Sequence, residues 1–119
     1  MKLLEKAERI RIYLGEDDKF NGRPLADVIV EEARKQGLAG ATVFRGMSGF
    51  GANSLLHTTK ILRLSEDLPI IVEIVEHPDN LTQLLAFLDK IVTEGMVTRE
   101  TVDVTIYRHS KGMSRPEIG

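Results

Sequence analysis

The residues of this chain that could do chemistry gather between Gly37 and Pro69. Gly46, Gly49 and Gly51 stand close together, with Arg45 just before them and Phe50 between the last two. Glycines spaced this way let backbone N–H groups approach an anion, as in phosphate-cradling loops. The same glycines also suit a loop that needs them only for its turns. Arg45 offers a planar guanidinium fork to a phosphate, or equally a salt bridge between subunits. Glu73 lies in an apolar run and is the one acid of interior character. It reads as a proton acceptor, as an acceptor for a ligand hydroxyl, or as the cross-strand partner of Arg9 or Arg11; the last reading is favoured. Ser48, Ser54 and Ser65 have no nucleophile elbow around them, so no catalytic residue is assigned. His57, His77 and His109 are far apart and there is no cysteine, a weak pattern for a metal. His77 before Pro78 reads as a helix start, and Glu16-Asp17-Asp18 as a solvated turn.

The whole chain must position these groups. Its 119 residues suit a single domain (1–119) with an ordered core over 8–108, a long loop over 47–66 and a loose tail over 110–119. A formal charge of −2 gives no electrostatic case for nucleic acid or an anionic membrane. The lack of cysteine excludes disulfides and fits a reducing cytosol, so a cytoplasmic protein is expected. The first residues form neither a signal peptide nor an anchor, and no apolar run approaches a membrane span.

Periodicity supplies the elements. Ile10, Ile12 and Leu14 alternate with Arg9, Arg11 and Tyr13, a strand over 8–14. Gly15 to Gly22 is a polar turn with Phe20 as its plug. Pro24 opens a helix carrying the stripe Leu25, Val28, Ile29, Ala33 and Gln36, stopped by Gly37. Ala41 to Arg45 is a short strand, Lys60 to Leu64 a strand leaving the long loop, and Ile70 to Val75 a central strand. A second helix starts at 77–80 and presents Leu81, Leu84, Leu85, Leu88 and Val92 on one face. Thr93-Glu94-Gly95 ends it. Val102, Val104 and Ile106 give the last main strand.

This order, strand, helix, strand, loop, strand, helix, strand, predicts an α+β, ferredoxin-like βαββαβ fold. Its four-stranded antiparallel sheet has both helices on one face and a long connection between the second and third strands. The uncovered face would carry Tyr13, Phe44, Ile71, Val75 and Tyr107 beside Arg9, Arg11, Glu73, Asp103 and Thr105. That mixture is too apolar for water and too charged for a core, and it predicts a homo-oligomer.

Gly-Leu-Ala-Gly-Ala-Thr-Val from Gly37, followed by Gly49-Phe50-Gly51, resembles the second strand and loop start of PII signalling proteins. His57-Thr58 resembles a pair within their T-loop, and Leu68-Pro69 the dipeptide before their third strand. The spacing Arg-Gly-x-x-Gly-Phe-Gly and the phrase Leu-Ser-Glu-Asp-Leu-Pro most resemble an uncharacterised PII-like family known by a domain-of-unknown-function label. The likeness covers roughly residues 8 to 110.

The resemblance implies a homotrimer that binds an adenine nucleotide between subunits and signals through its loop to a protein partner such as a membrane transporter. Gly40 and Thr42 match positions flanking the adenine; Gly49 and Gly51 match backbone near the phosphates. Leu68 to Val75, with Glu73 and Val75, matches the strand bordering the base, and Glu73 could meet the ribose. Gly95 matches the start of a closing loop, Gly95-Met96-Val97-Thr98, and Arg108 and Lys111 match basic residues from the C-terminal segment. Arg45, Gly46 and Phe50 complete the nucleotide-binding set. Ala52-Asn53 and Ile70 stand where PII proteins carry Arg-Gln and Lys. Two phosphate-contacting cations are therefore missing, which favours AMP or ADP over ATP. No metal or cofactor is expected. Two other readings stay open: slow nucleotide hydrolysis through His57 or Glu73, and an adaptor that binds no ligand.

Overall fold

A computed structural model of the chain describes residues 6–51 and 67–109. Strand β1, Ala7–Gly15, is followed by a two-residue ribbon, β2 Lys19–Phe20 and β3 Arg23–Pro24. Asn21 and Gly22 join these with φ of 51° and 81°, the left-handed pair that a tight hairpin demands. Phe20 is not a plug; its side chain is exposed. Helix α1 spans Leu25–Lys35. Its last turn closes with Gly37 N–H to Arg34 O and Leu38 N–H to Ala33 O. Gly37 takes φ 75°, the left-handed stop expected of it. Strand β4, Thr42–Arg45, precedes the long connection, and β5, Pro69–Glu76, follows it. A 3₁₀ turn at Pro78–Asn80 leads into helix α2, Thr82–Ile91, and β6 spans Met96–Val102.

The sheet order is β4-β5-β1-β6, with every neighbour antiparallel. That is the ferredoxin-like arrangement expected. Ile10, Ile12 and Leu14 of β1 and Ile70, Val72 and Ile74 of β5 turn to one face. There they pack with Leu25, Ile29 and Ala33 of α1, Leu84, Leu88 and Ile91 of α2, and Leu81 before it. The two helical stripes follow the predicted periodicity, except that Ile91 rather than Val92 is buried.

The last strand differs from expectation. It begins at Met96, and Val102 ends it rather than starting it. The alternation of Val102, Val104 and Ile106 resembles a strand because these residues also divide between inside and outside. Val102, Val104 and Tyr107 gather round the buried Ala7 together with Ala39 and Val75, whereas Ile106 is exposed. Residues 103–109 therefore lie outside the sheet ladder, and Asp103, Thr105 and Tyr107 are not strand residues of the open face. Met96, Thr98 and Glu100, which pair with Tyr13, Arg11 and Arg9, take those places. The predicted strand over 60–64 and the tail over 110–119 fall outside the described residues.

Candidate functional site

Three local structures hold the residues singled out by the sequence. The first is the root of the long connection, at the end of the sheet where β4 finishes and β5 begins. Gly46 N–H donates to Pro69 O at 2.7 Å. A Cβ on Gly46 would lie 2.6 Å from Pro69 Cγ, and one on Gly49, at φ 143°, would lie 3.2 Å from it. These two glycines thus have a packing reason: they let the backbone close over the Pro69 ring. Phe50 and Gly51 follow, both exposed. Arg45 is engaged inside the chain, its Nη2 lying 2.7 Å from Glu16 Oε2.

The second is the lower open face. The strand register sets Thr42 opposite Glu73 and Phe44 opposite Ile71. It also sets Arg11 opposite Glu73, and Arg11 Nε donates to Glu73 Oε2 at 2.9 Å. That is the cross-strand pair the sequence favoured. Glu73 also pushes the Arg11 guanidinium further above its ordinary range. Beside it, Arg9 Nε donates to Glu100 Oε1 at 3.0 Å. The hydrogen bond and charge of Arg9 hold the Glu100 carboxyl below its usual range. Val75 packs into the cluster round Ala7. Gly40 and Arg108 are exposed, and Tyr107 meets His109 edge-on with ring centroids 5.9 Å apart.

The third is the far edge of the sheet. Gly95 takes φ 130°, and a Cβ there would lie 2.5 Å from Tyr13 O. The backbone of β1 therefore leaves room only for glycine as the chain turns into β6. The closing loop expected over Gly95–Thr98 is instead this turn followed by the first residues of β6. Gly95 and Arg45 stand at the same end of the sheet but on opposite edges, with β5 and β1 between them. Three strand spacings separate β4 from β6, about 14 Å. Lys111 and His57 lie outside the described residues.

Sequence reasoning passed over one acid. Glu76, not Glu73, is the interior carboxylate, with no exposure at all. Its Oε1 accepts from Ala39 N–H at 2.6 Å, and its Oε2 from His77 N–H at 3.1 Å and Asn80 Nδ2 at 2.9 Å. A buried carboxylate is tolerated when its oxygens are filled this way. Glu76 thereby ties the approach to β4 to the turn after β5. The signal was present: Ile70, Val72, Ile74 and Glu76 share one strand phase, which points at the helices. His77 starts the 3₁₀ turn as expected, its Nδ1 accepting from Asp79 N–H at 3.1 Å. Among the described residues, no group of three or more His, Cys, Asp or Glu side chains could hold a metal ion, and no helix is long and apolar enough to cross a membrane.

Known proteins share this arrangement. The family model DUF190, described as "Uncharacterized ACR", matches residues 7–104. A "UPF0166 protein" of Aquifex aeolicus (strain VF5) is 35% identical over 101 residues, covering 83% of this chain and 93% of the relative. Among solved structures, CPII from Thiomonas intermedia K12 bound to ADP and bicarbonate superposes with a TM-score of 0.63 at 16% identity. The match covers 85% of this chain and 90% of that one. The same protein bound to ADP, AMP and acetate gives 0.59 at 14% identity, covering 82% and 87%. Likeness at these identities establishes the fold, and the sequence match establishes the family: the chain belongs to the DUF190 (UPF0166) family and has the PII-like fold.

Proposed function

We propose that this chain is a cytoplasmic PII-like sensor. Three copies assemble, and an adenine nucleotide occupies the clefts between them. AMP or ADP is preferred to ATP, because two cations that PII proteins direct at the outer phosphates are replaced by Ala52 and Ile70. The connection rooted at Gly46 and Pro69 reports occupancy to a protein partner, for which a membrane transporter is a suitable kind. The protein performs no reaction of its own.

The observation that carries this reading is the division of the implicated residues between two sheet edges. Thr42, Arg45 and Gly46 belong to the β4 edge and Gly95 to the β6 edge, with two strands between. A site that uses both draws them from two copies. The open face supports the assembly. Its charges are neutralised in pairs, Arg11 with Glu73 and Arg9 with Glu100, while Phe44 and Met96 remain about half exposed. A face of that kind suits a subunit contact. The ligand class is supported by structural neighbours of the same fold described as bound to ADP and to AMP.

Native mass spectrometry and isothermal titration test the reading together. The expected result is a trimer that takes up one ADP per chain, with ATP binding no tighter than ADP and no turnover above blank. A monomer at micromolar concentration, or no response to AMP, ADP or ATP, would overturn it.

A further inference from the structure

The long connection between β4 and β5 is fastened at both ends to one short turn, Gly15–Asp18. On the β5 side the fastening is mainly backbone. Glu16 N–H donates to Leu68 O at 2.8 Å, and Asp17 N–H donates to Asp67 Oδ1 at 2.9 Å. Gly15 permits this approach, since a Cβ there would lie 2.4 Å from Asp67 Oδ1. Asp67 holds φ 43°, a left-handed conformation that Asp tolerates better than most residues. The turn is closed on itself by Gly15 N–H donating to Asp18 Oδ2 at 2.9 Å.

On the β4 side the fastening is different in kind. It includes a side-chain ion pair, Arg45 Nη2 to Glu16 Oε2 at 2.7 Å. The Glu16 side chain is 29% exposed and that of Arg45 63%. The carboxylate is therefore the seated partner and the guanidinium the one free to move. Exposed pairs of this sort hold weakly. A phosphate carries more charge than a carboxylate and three acceptor oxygens, and it binds a guanidinium fork more strongly.

We propose that Glu16 is a built-in competitor for Arg45. A ligand phosphate arriving at the loop root draws the guanidinium away from Glu16, because two anions on one fork repel each other. Binding then frees the β4 side of the connection from this turn, while Gly46 keeps its backbone bond to Pro69 and Leu68 and Asp67 keep the β5 side fastened. This rests on the reading that a nucleotide's phosphates lie at the loop root, and it names the residue that regulates that site.

The test is a double-mutant cycle read by isothermal titration with ADP, each variant first checked for an unchanged thermal melt and assembly state. Glu16→Gln keeps the side chain's shape and removes its charge. It should bind ADP about three- to fivefold tighter than the native chain. Glu16→Asp, which draws the carboxylate back by one methylene, should move affinity the same way by less. Arg45→Ala should weaken ADP about fivefold or more. Adding Glu16→Gln to Arg45→Ala should then change nothing further, since there is no guanidinium left to compete for. Adenosine, which has no phosphate, should bind all five chains alike. Unchanged ADP affinity in Glu16→Gln, or equal tightening with and without Arg45, overturns the competition. A native chain that assembles yet gives no heat with ADP overturns the underlying site, and the competitor falls with it.

Discussion

The two faces of the sheet are made from the same strands and finished in opposite ways. On one, Ile10, Ile12, Val72 and Ile74 are at most 1% exposed beneath two helices whose stripes match them. On the other, the alternate residues Arg9, Arg11, Tyr13, Ile71, Glu73 and Val75 are only half-buried, and ion pairs rather than helices run across them. The covered face supplies the apolar burial that drives folding. The open face is relieved of that duty, so its residue types are free to serve recognition. One strand shows both outcomes: three residues apart on β5, Glu73 faces Arg11 and Glu76 is sealed among N–H donors.

The strongest way to break the comparison is to truncate one isoleucine on each side. Ile12→Ala empties a fully buried position and should cost about 2 to 5 kcal/mol, read as a lower denaturant midpoint. Ile71→Ala should cost the folded chain about 1 kcal/mol or less but weaken self-association in sedimentation at matched concentration. Equal losses of stability, with association unchanged, would mean that the open face is ordinary core.

The two glutamates sharpen the contrast at smaller magnitude. Glu76→Gln replaces an acceptor oxygen by an NH₂ group that faces other donors. It should cost about 1.5 to 3 kcal/mol, the range for a charge-assisted bond lost in the interior. Glu73→Gln removes half of a partly exposed pair and should cost about 1 kcal/mol or less. Thermal melts of the two variants at one pH decide it. A Glu73 variant as damaged as the Glu76 one would mean that the open face contributes to stability on the same scale as the covered one.

These differences show what could be read from the sequence and what could not. Strand and helix periods place β1, β5, both helices and the fold itself, because hydrophobic burial is written at fixed intervals. The last strand was misplaced because Val102 and Val104 obey the same alternation while packing round Ala7 outside the ladder. Met96 to Glu100 hid as a strand because an edge strand has one neighbour and little to bury; most of its residues are exposed. At the site, the glycines were legible as close approaches but not what they approach. Pro69 and Tyr13 O meet Gly46 and Gly95 only through tertiary contact. The partner of Arg45, Glu16, is a residue of a turn that looked merely solvated, and no local pattern joins positions so far apart. Glu76 was legible, since its phase along β5 is that of Ile74, and an expectation that interior acids announce themselves by apolar neighbours alone favoured Glu73.

The smallest expected effect separates the faces by pH. Arg9 holds the Glu100 carboxyl below its ordinary value of 4.5, chiefly by hydrogen bonding and then by charge. A carboxyl whose folded value lies below its unfolded one stabilises the fold fully above the unfolded value, and that contribution is lost as pH falls through the folded one. Arg23, just before α1, acts in the same direction on Glu31 within that helix, on the other side of the sheet. Both pairs sit in solvent in a single chain, so each contributes little and salt screens it. If the open face is covered in an assembly, however, the Arg9–Glu100 pair loses that screening and the Arg23–Glu31 pair does not. Thermal melts between pH 7 and pH 3 should then fall more steeply for the native chain than for Glu100→Gln, with a difference that survives added salt. The corresponding difference for Glu31→Gln should vanish in salt. Identical salt sensitivity in the two variants would place both pairs in open water and leave the sheet's second face uncovered.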